Sequence, residues 1–236
     1  MAGDLMERFI VDPIEFNAQA ERWICNKIRL VLESSQRCHL MLAGGATPLP
    51  VYQRLALRND IPWSQINLYF GDERCVPVNT PENNYSTVMN SLFPDGDRPE
   101  GMHVYRMCGE EEPDKAAEVY ELVLPERIDI LLLGVGDDGH TASIFPGSAA
   151  LDEDKRRVMP SIGTKPPLQR LTITPPVIQG ARHLLVMVQG GGKADAVRRA
   201  LVDHNVPAAI ARDGDWMMDI LAARSLPEDQ RLGLLI

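Results

Sequence analysis

Asp138 and His140 are the pair of residues whose types and spacing most directly indicate acid–base chemistry. They lie two positions apart in the segment GVGDDGH, which directly follows the apolar run IDILLL. If this segment forms a tight turn, the carboxylate meets the imidazole and fixes its tautomer and orientation. His140 then acts as a general base toward a water or a sugar hydroxyl. A histidine satisfied by a backbone carbonyl is the alternative, and the position beside two acids at a strand end favours the catalytic role.

The same segment matches a dinucleotide-binding fingerprint, but its acidic residues argue against a bound nucleotide. Gly134, Gly136 and Gly139 fit the pattern G-x-G-x-x-G. Asp137 and Asp138 would place two negative charges where a pyrophosphate has to pass. Like charges 4 Å apart repel each other by about 4 kcal/mol in a partly dry site. We therefore expect this turn to do acid–base chemistry and to bind no nucleotide.

Two other glycine-rich turns are better suited to binding a phosphate. Gly44, Gly45 and Thr47 lie in the turn GGATP, between a predicted strand and a predicted helix. There, backbone N–H groups and the helix dipole favour a single anion. The segment GGGKA places Lys193 at the start of another helix, although Ala194 stands where a Walker A loop has Ser or Thr. The alternatives are a tight turn that needs glycine for its backbone angles, and a solvated lysine.

A third charged turn, GDER, follows the predicted strand INLYF. Arg74 at this position is suited to hold an anion or a developing oxyanion. Asp72 is a further candidate substrate-binding residue. A local salt bridge between Arg74 and Glu73 is an equally simple interpretation.

Composition and charge define the class of protein and exclude several partners. The chain has 236 residues, a formal net charge of −9 and 44% hydrophobic residues, as expected for a soluble globular enzyme. Its negative charge without a basic patch argues against a nucleic-acid partner, and no apolar run is long enough to span a membrane. Scattered cysteines and the absence of a signal-peptide pattern predict a cytoplasmic location. The five histidines never lie three to five residues apart, so neither a metal nor a cofactor is expected.

Strand-like apolar segments alternate with helix-like segments along the chain, which predicts parallel β-α-β winding in one α/β domain over residues 1–236. IDILLLG is the most apolar strand and is expected at the centre of the sheet, whereas RLTIT alternates like a half-buried strand. GGKADAVRRALV begins a predicted helix, Thr80-Pro81 opens another, and DWMMDILAARSL contains either a last strand or a last helix. The carboxyl ends of parallel strands share one edge, so the turns LAGGATP, YFGDER and LGVGDDGHTAS are expected to meet.

Several of these segments together resemble the 6-phosphogluconolactonases, in order and with similar spacing over residues 13–225. The segments are LAGGATPLPVYQRL, NLYFGDERCVP with the following NNY, DILLLGVGDDGHTASIFPGS, and RLTIT with GGGKADAV. The resemblance implies a Rossmann-like, mostly parallel sheet flanked by helices, as in the glucosamine-6-phosphate deaminase-like and ribose-5-phosphate isomerase-like folds. It also implies hydrolysis of 6-phospho-D-glucono-1,5-lactone to 6-phosphogluconate in the oxidative pentose phosphate pathway. Either a monomer or a homodimer is compatible with the sequence.

The resemblance assigns roles to particular residues. It implies that His140 activates water, that Asp138 orients the imidazole, and that Arg74 lies close to the carboxyl end or the phosphate of the substrate. The phosphate would be held by Gly44, Gly45, Thr47, Arg170 and Lys193. A δ-lactone opens slowly even unaided, so a base and charge stabilisation suffice without a metal. Because His140 must be neutral to act, activity should fall in acid.

Two competing functions remain open at this point. Glucosamine-6-phosphate deaminase/isomerases share the fold and the D-G-H core, but they resemble GHIAFNEP and DEY where this chain has GHTASIFP and Asp72-Glu73-Arg74. A non-catalytic sugar-phosphate-binding protein would keep the phosphate site and lose the acid–base pair.

The chain also departs from the lactonases in its first loop, where Ala43 and Ala46 replace hydroxyl residues. Each lost charge-assisted hydrogen bond to phosphate would be worth about 1.5–3 kcal/mol.

Overall fold

A seven-stranded parallel sheet forms the centre of the structure, a computed structural model that describes residues 7–231. In chain order the strands are β1 (Arg8–Val11), β2 (Cys38–Leu42), β3 (Ile66–Phe70), β4 (Asp72–Arg74), β5 (His103–Val104), β6 (Ile130–Gly134), β7 (Val158–Ile162), β8 (Gln169–Ile173), β9 (His183–Val188) and β10 (Asp215–Asp219). The central sheet has the order β1-β10-β9-β6-β2-β3-β5, and its neighbouring strands run parallel. The apolar strand β6 is the fourth of the seven, so its predicted central position is confirmed.

Helices cover both faces of the central sheet. They are α1 (Phe16–Leu32), α2 (Leu49–Ala56), α3 (Asn84–Leu92), α4 (Pro113–Val123), α5 (Pro175–Gly180), α6 (Ala194–Arg198) and α7 (Glu228–Arg231). Side chains alternate along each strand, so Leu40 and Leu68 pack with α1, α2 and α3 on one face. Met41 and Leu131 point to the opposite face and pack with α4, α5 and α6. This arrangement confirms the predicted α/β fold with a mostly parallel sheet flanked by helices.

A separate three-stranded antiparallel sheet, in the order β4-β8-β7, lies on the second of these faces. The expectation of a half-buried RLTIT strand is wrong, because β8 is the middle strand of this small sheet and four of its five residues are buried. Leu171 and Ile173 join the same apolar cluster as Tyr120 of α4. The chain therefore leaves the central sheet after β3 and uses β4 to present Asp72 and Arg74 beside it.

The backbone corrects two local expectations and decides a third that the sequence left open. Helix α3 begins at Asn84 and not at Thr80-Pro81, because the Asn83 side chain accepts a hydrogen bond from the Ser86 N–H and caps the helix there. After Gly191 the chain forms a short 3₁₀ turn, the five-residue helix α6 and one π turn over 199–203 in place of one regular helix. DWMMD is a buried strand, β10. Within residues 7–231, no helix has the length and apolar character needed to cross a membrane.

Candidate active site

The carboxyl ends of β2, β3, β6 and β9 lead into turns that line one cavity of about 650 Å³. The connection between β7 and β8, residues 163–168, contributes a further wall. The cavity brings together all nine residues that the sequence singles out: Gly44, Gly45, Thr47, Asp72, Arg74, Asp138, His140, Arg170 and Lys193. The expected convergence of distant turns at one edge of the sheet is therefore what the structure contains. The roles of these residues in binding and catalysis stay predictions.

The Asp138 carboxylate and the His140 imidazole are in direct contact. Asp138 Oδ1 lies 2.5 Å from His140 Nδ1 and also accepts the His140 backbone N–H at 3.1 Å. A proton on Nδ1 is held by this contact, so Nε2 keeps its lone pair for proton abstraction. Burial alone would raise the pKa of Asp138, but the hydrogen bonds from the N–H and the imidazole of His140 outweigh it and lower that pKa. Asp138 is therefore a carboxylate at neutral pH.

Glycines make this contact possible. A Cβ on Gly136 would lie 2.1 Å from Nδ1 and Cε1 of His140, inside the space that the imidazole occupies. Gly139 has φ +85°, a backbone conformation that L side chains rarely adopt, and packs against Val206. Phe145 closes the other side, with its ring centroid 4.6 Å from that of the imidazole. The glycines of the apparent nucleotide fingerprint thus shape a histidine site.

The turn after β2 presents unused backbone donors to the cavity. Gly45 has φ +92°, and no hydrogen bond within residues 7–231 uses the N–H groups of the residues 44–47. These donors precede helix α2, whose positive end adds to their attraction for an anion. Ala43 is not part of this set, because its N–H and carbonyl both bond to the buried Tyr52 hydroxyl. Its hydroxyl-free side chain is buried, at 7% exposure.

Arg74 and Arg170 form a pair of cations on the small antiparallel sheet. They are directly opposed in the β4–β8 register. Arg74 Nη1 donates to the Glu82 carbonyl and Arg170 Nη2 to the Lys165 carbonyl. The Nε atoms of both arginines are buried and have no hydrogen-bond partner among the described residues. Burial, followed by the charge of Arg74, lowers the pKa of Arg170. Two adjacent guanidinium groups with unused donors favour an anion between them.

Glu73 does not form the salt bridge with Arg74 that the sequence left open. Its fully buried carboxylate accepts three backbone N–H groups, from Arg74, Asn84 and Tyr85, at 2.7–2.8 Å. Burial raises the pKa of Glu73 to about 7, against the opposing effect of these hydrogen bonds. The contacts fasten the start of α3 to β4 and thereby position the side chains on either side of Glu73.

Asp72 belongs to a polar network at the back of the cavity. Its Oδ2 accepts the Ser143 hydroxyl at 2.6 Å, and its Oδ1 accepts the Asn84 side-chain amide at 3.2 Å. Asn84 in turn touches the glycine turn, since a Cβ on Gly44 would lie 2.1 Å from its Oδ1. The network links the turns that follow β2, β3 and β6.

Lys193 reaches the cavity from the turn after β9 and is not a solvated side chain. Its Nζ lies 2.6 Å from Asp137 Oδ1, and its side chain is 26% exposed. The turn is held by Asp219 at the end of β10, whose Oδ2 accepts the Gly190 N–H at 2.9 Å. Gly190 itself has φ +92°, which explains the glycine at that position.

The cavity residues for which the sequence predicted no binding role include Asn84, Asp137 and Lys165. Asn84 could have been found from the N-N-Y that follows GDER, which the resemblance already includes. From the sequence, Asp137 is expected only to repel a phosphate, although an acid in the same site as a lysine is a natural partner for it. Lys165 lies in a connection whose approach to the cavity depends on the antiparallel sheet, which the alternation pattern did not predict.

Comparison with known proteins shows which family the chain is similar to. Residues 12–218 match the family described as glucosamine-6-phosphate isomerases/6-phosphogluconolactonase. The 6-phosphogluconolactonase of Synechocystis sp. is 32% identical over 222 residues, which cover 86% of this chain and 91% of the relative. That of Mycobacterium tuberculosis is 33% identical over 232 residues, which cover 89% and 94%.

Solved structures give the same result for the fold. The 6-phosphogluconolactonase of Trypanosoma brucei matches with a TM-score of 0.83 and 27% identity, over 96% of this chain and 100% of that one. The Thermotoga maritima enzyme matches with a TM-score of 0.81 and 27% identity, over 91% and 99%. The chain therefore belongs to the glucosamine-6-phosphate isomerase/6-phosphogluconolactonase family.

Proposed function

We propose that this protein hydrolyses 6-phospho-D-glucono-1,5-lactone to 6-phosphogluconate in the oxidative pentose phosphate pathway. The observation that carries the proposal is the Asp138–His140 contact at 2.5 Å, in the same cavity as a cationic, donor-rich anion site. The first feature suits activation of water, and the second suits the phosphate of a sugar phosphate. The relatives in the comparisons carry the name of this activity.

His140 takes a proton from a water molecule through Nε2 as the water oxygen attacks C1 of the lactone. Asp138 stabilises the imidazolium that forms, because its carboxylate already contacts Nδ1. The negative charge that develops on the carbonyl oxygen is stabilised by the positive potential of the site. When the intermediate collapses, the bond from C1 to the ring oxygen breaks and the ring oxygen receives the proton from His140. The carboxylic acid then ionises, so each turnover releases one proton to solution.

Other groups of the same cavity hold the phosphate. The N–H groups of the 44–47 turn, with the side chain of Thr47, bind phosphate oxygens at the positive end of α2. Arg170 and Lys193 add positive charge, and Arg74 lies beside Arg170. These groups hold the substrate so that C1 faces the imidazole, which raises the rate by orientation.

The deaminase/isomerase activity of the wider family is the competing function. Moving a proton between carbons of the sugar requires acid–base groups beyond the histidine. Residues 141–145, which follow His140, contain no acid, and the Ser143 hydroxyl is already bonded to Asp72. These features favour lactone hydrolysis.

Proton release on addition of freshly prepared 6-phosphogluconolactone tests the proposal, with ammonia release from glucosamine 6-phosphate measured in parallel. We expect lactone opening far above the spontaneous rate and no ammonia. Ammonia release without accelerated lactone opening would identify the competing activity instead. Binding of 6-phosphogluconate with neither reaction would identify a sugar-phosphate-binding protein.

A further inference from the structure

Asp137 is an acidic residue of the cavity that takes no part in the Asp138–His140 contact. Its Oδ1 lies 2.6 Å from Lys193 Nζ, so it neutralises a lysine that is proposed to bind phosphate. The Lys193 side chain is 26% exposed, whereas that of Asp137 is 65% exposed. The lysine is thus mostly enclosed, and its carboxylate partner contacts it from the solvent side.

Asp137 is ionised at neutral pH, because it contacts the Lys193 ammonium group. The hydrogen bond from Lys193, followed by the charge of Lys193, lowers the pKa of Asp137. Lys165, on the 163–168 connection that lines the same cavity, acts in the same direction. Lys165 has no hydrogen bond or ion pair through its ammonium group within residues 7–231. Asp137 is therefore the counter-ion of Lys193, and Lys165 lines the same cavity without an ion pair to any described residue.

We propose that Asp137 is a resident counter-ion that weakens the binding of phosphorylated ligands, and of the product more than the substrate. A phosphate oxygen that accepts a hydrogen bond from Lys193 Nζ comes within about 5 Å of the Asp137 carboxylate, because each N–O contact is about 2.7–2.9 Å. Like charges at this separation repel. The product carries a carboxylate in addition to the phosphate, so it has one more negative charge than the lactone. This inference rests on the proposed function and extends it to product release.

A purely structural role would be that Asp137 only orients Lys193. Two substitutions separate the possibilities. Asp137→Asn removes the charge but keeps a side-chain oxygen that can accept a hydrogen bond from Lys193, whereas Asp137→Ala removes both. If the charge matters, both variants bind phosphorylated ligands more tightly than the wild type. If orientation matters, Asp137→Ala binds them more weakly and Asp137→Asn resembles the wild type.

The experiment measures Kd for 6-phosphogluconate and for inorganic phosphate by calorimetry, and KM for 6-phosphogluconolactone. For Asp137→Asn we expect a threefold to tenfold lower Kd for 6-phosphogluconate, a smaller decrease in KM, and a difference that shrinks at high salt. KM for the unphosphorylated glucono-1,5-lactone should not change. Asp213→Asn is the matched control, because Asp213 is 76% exposed, lies beside Arg212 and does not line the cavity.

An unchanged or higher Kd for 6-phosphogluconate in Asp137→Asn would overturn the inference. So would an equal change in KM for the unphosphorylated lactone. The binding measurements do not require turnover. A wild type that fails to open the lactone would therefore contradict the proposed function, while the effect of Asp137 on phosphate binding would still be decided.

Discussion

At the scale of single residues, the position of the imidazole depends on the absence of one side-chain atom. A Cβ on Gly136 would lie 2.1 Å from His140 Nδ1 and 2.8 Å from Asp138 Oδ1, well inside contact distance. The His140 imidazole and the Asp138 carboxylate cannot move aside independently, because they are in contact with each other. Glycine is therefore required at this position by its neighbours.

We predict that Gly136→Ala lowers kcat for 6-phosphogluconolactone by about a hundredfold, because a displacement of 1 Å in a reacting group costs about that factor. Thermal denaturation should show that the variant still folds. Gly180→Ala is the control, because a Cβ there meets no atom within 4 Å and Gly180 does not line the cavity. Full activity in Gly136→Ala would mean that His140 does not need its present position.

At the scale of secondary-structure elements, the site is held by buried carboxylates that fasten turns and helix starts to strands. Glu73 on β4 binds N–H groups at the start of α3, and Asp219 at the end of β10 binds the N–H groups of Gly190 and Ala222. The Glu73 contacts join residues 11 and 12 positions apart, and the contact of Asp219 with Gly190 joins residues 29 positions apart. The turns that carry the functional side chains are thereby positioned by two carboxylates that do not line the cavity themselves.

We predict that Asp219→Ala raises KM for 6-phosphogluconolactone by about tenfold, since a lost hydrogen bond to a charged group costs about 1.5–3 kcal/mol and the Gly190 turn carries Lys193. The kcat value and the rate on the unphosphorylated lactone should change much less. Steady-state kinetics on both lactones measures the difference. A loss of the same size on both substrates would show that Asp219 supports the whole fold and not the phosphate turn.

At the scale of the whole molecule, Glu73 links the stability of the fold to pH. The folded pKa of about 7 lies above the ordinary value of 4.5. Between these values the folded state holds a proton that the unfolded chain has released. The protonated Glu73 carboxyl therefore makes its full contribution to the free energy of unfolding below pH 4.5. This contribution is lost as the pH rises through 7.

We predict that Glu73→Gln abolishes this pH-dependent decrease in the free energy of unfolding. In the wild type the decrease amounts to about 3 kcal/mol between pH 4.5 and 7. Urea denaturation of the wild type and the variant at pH 5 and pH 7.5 measures it. The variant is expected to be less stable at low pH, where it lacks the native carboxyl, and to change less with pH. Equal pH dependence in both proteins would show that the Glu73 carboxyl is ionised throughout this range.

The sequence predicted the α/β class, the central position of β6 and the convergence of the turns, because strand ends in a parallel sheet share one edge. It also predicted the Asp138–His140 contact, which needs only a local turn. It did not predict the antiparallel sheet β4-β8-β7, since the pairing of Arg74 with Arg170 joins residues 96 positions apart and leaves no periodic pattern. For the same reason the approach of Lys165 to the cavity could not be read from its neighbours.

The proposed function depends on His140 activating the water that opens the lactone. The most direct test is the initial rate of 6-phosphogluconolactone opening by His140→Ala, followed by proton release and corrected for spontaneous hydrolysis. We expect a loss of about two to four orders of magnitude in kcat, with the free energy of unfolding unchanged. A variant that retains at least a third of the wild-type rate would contradict it.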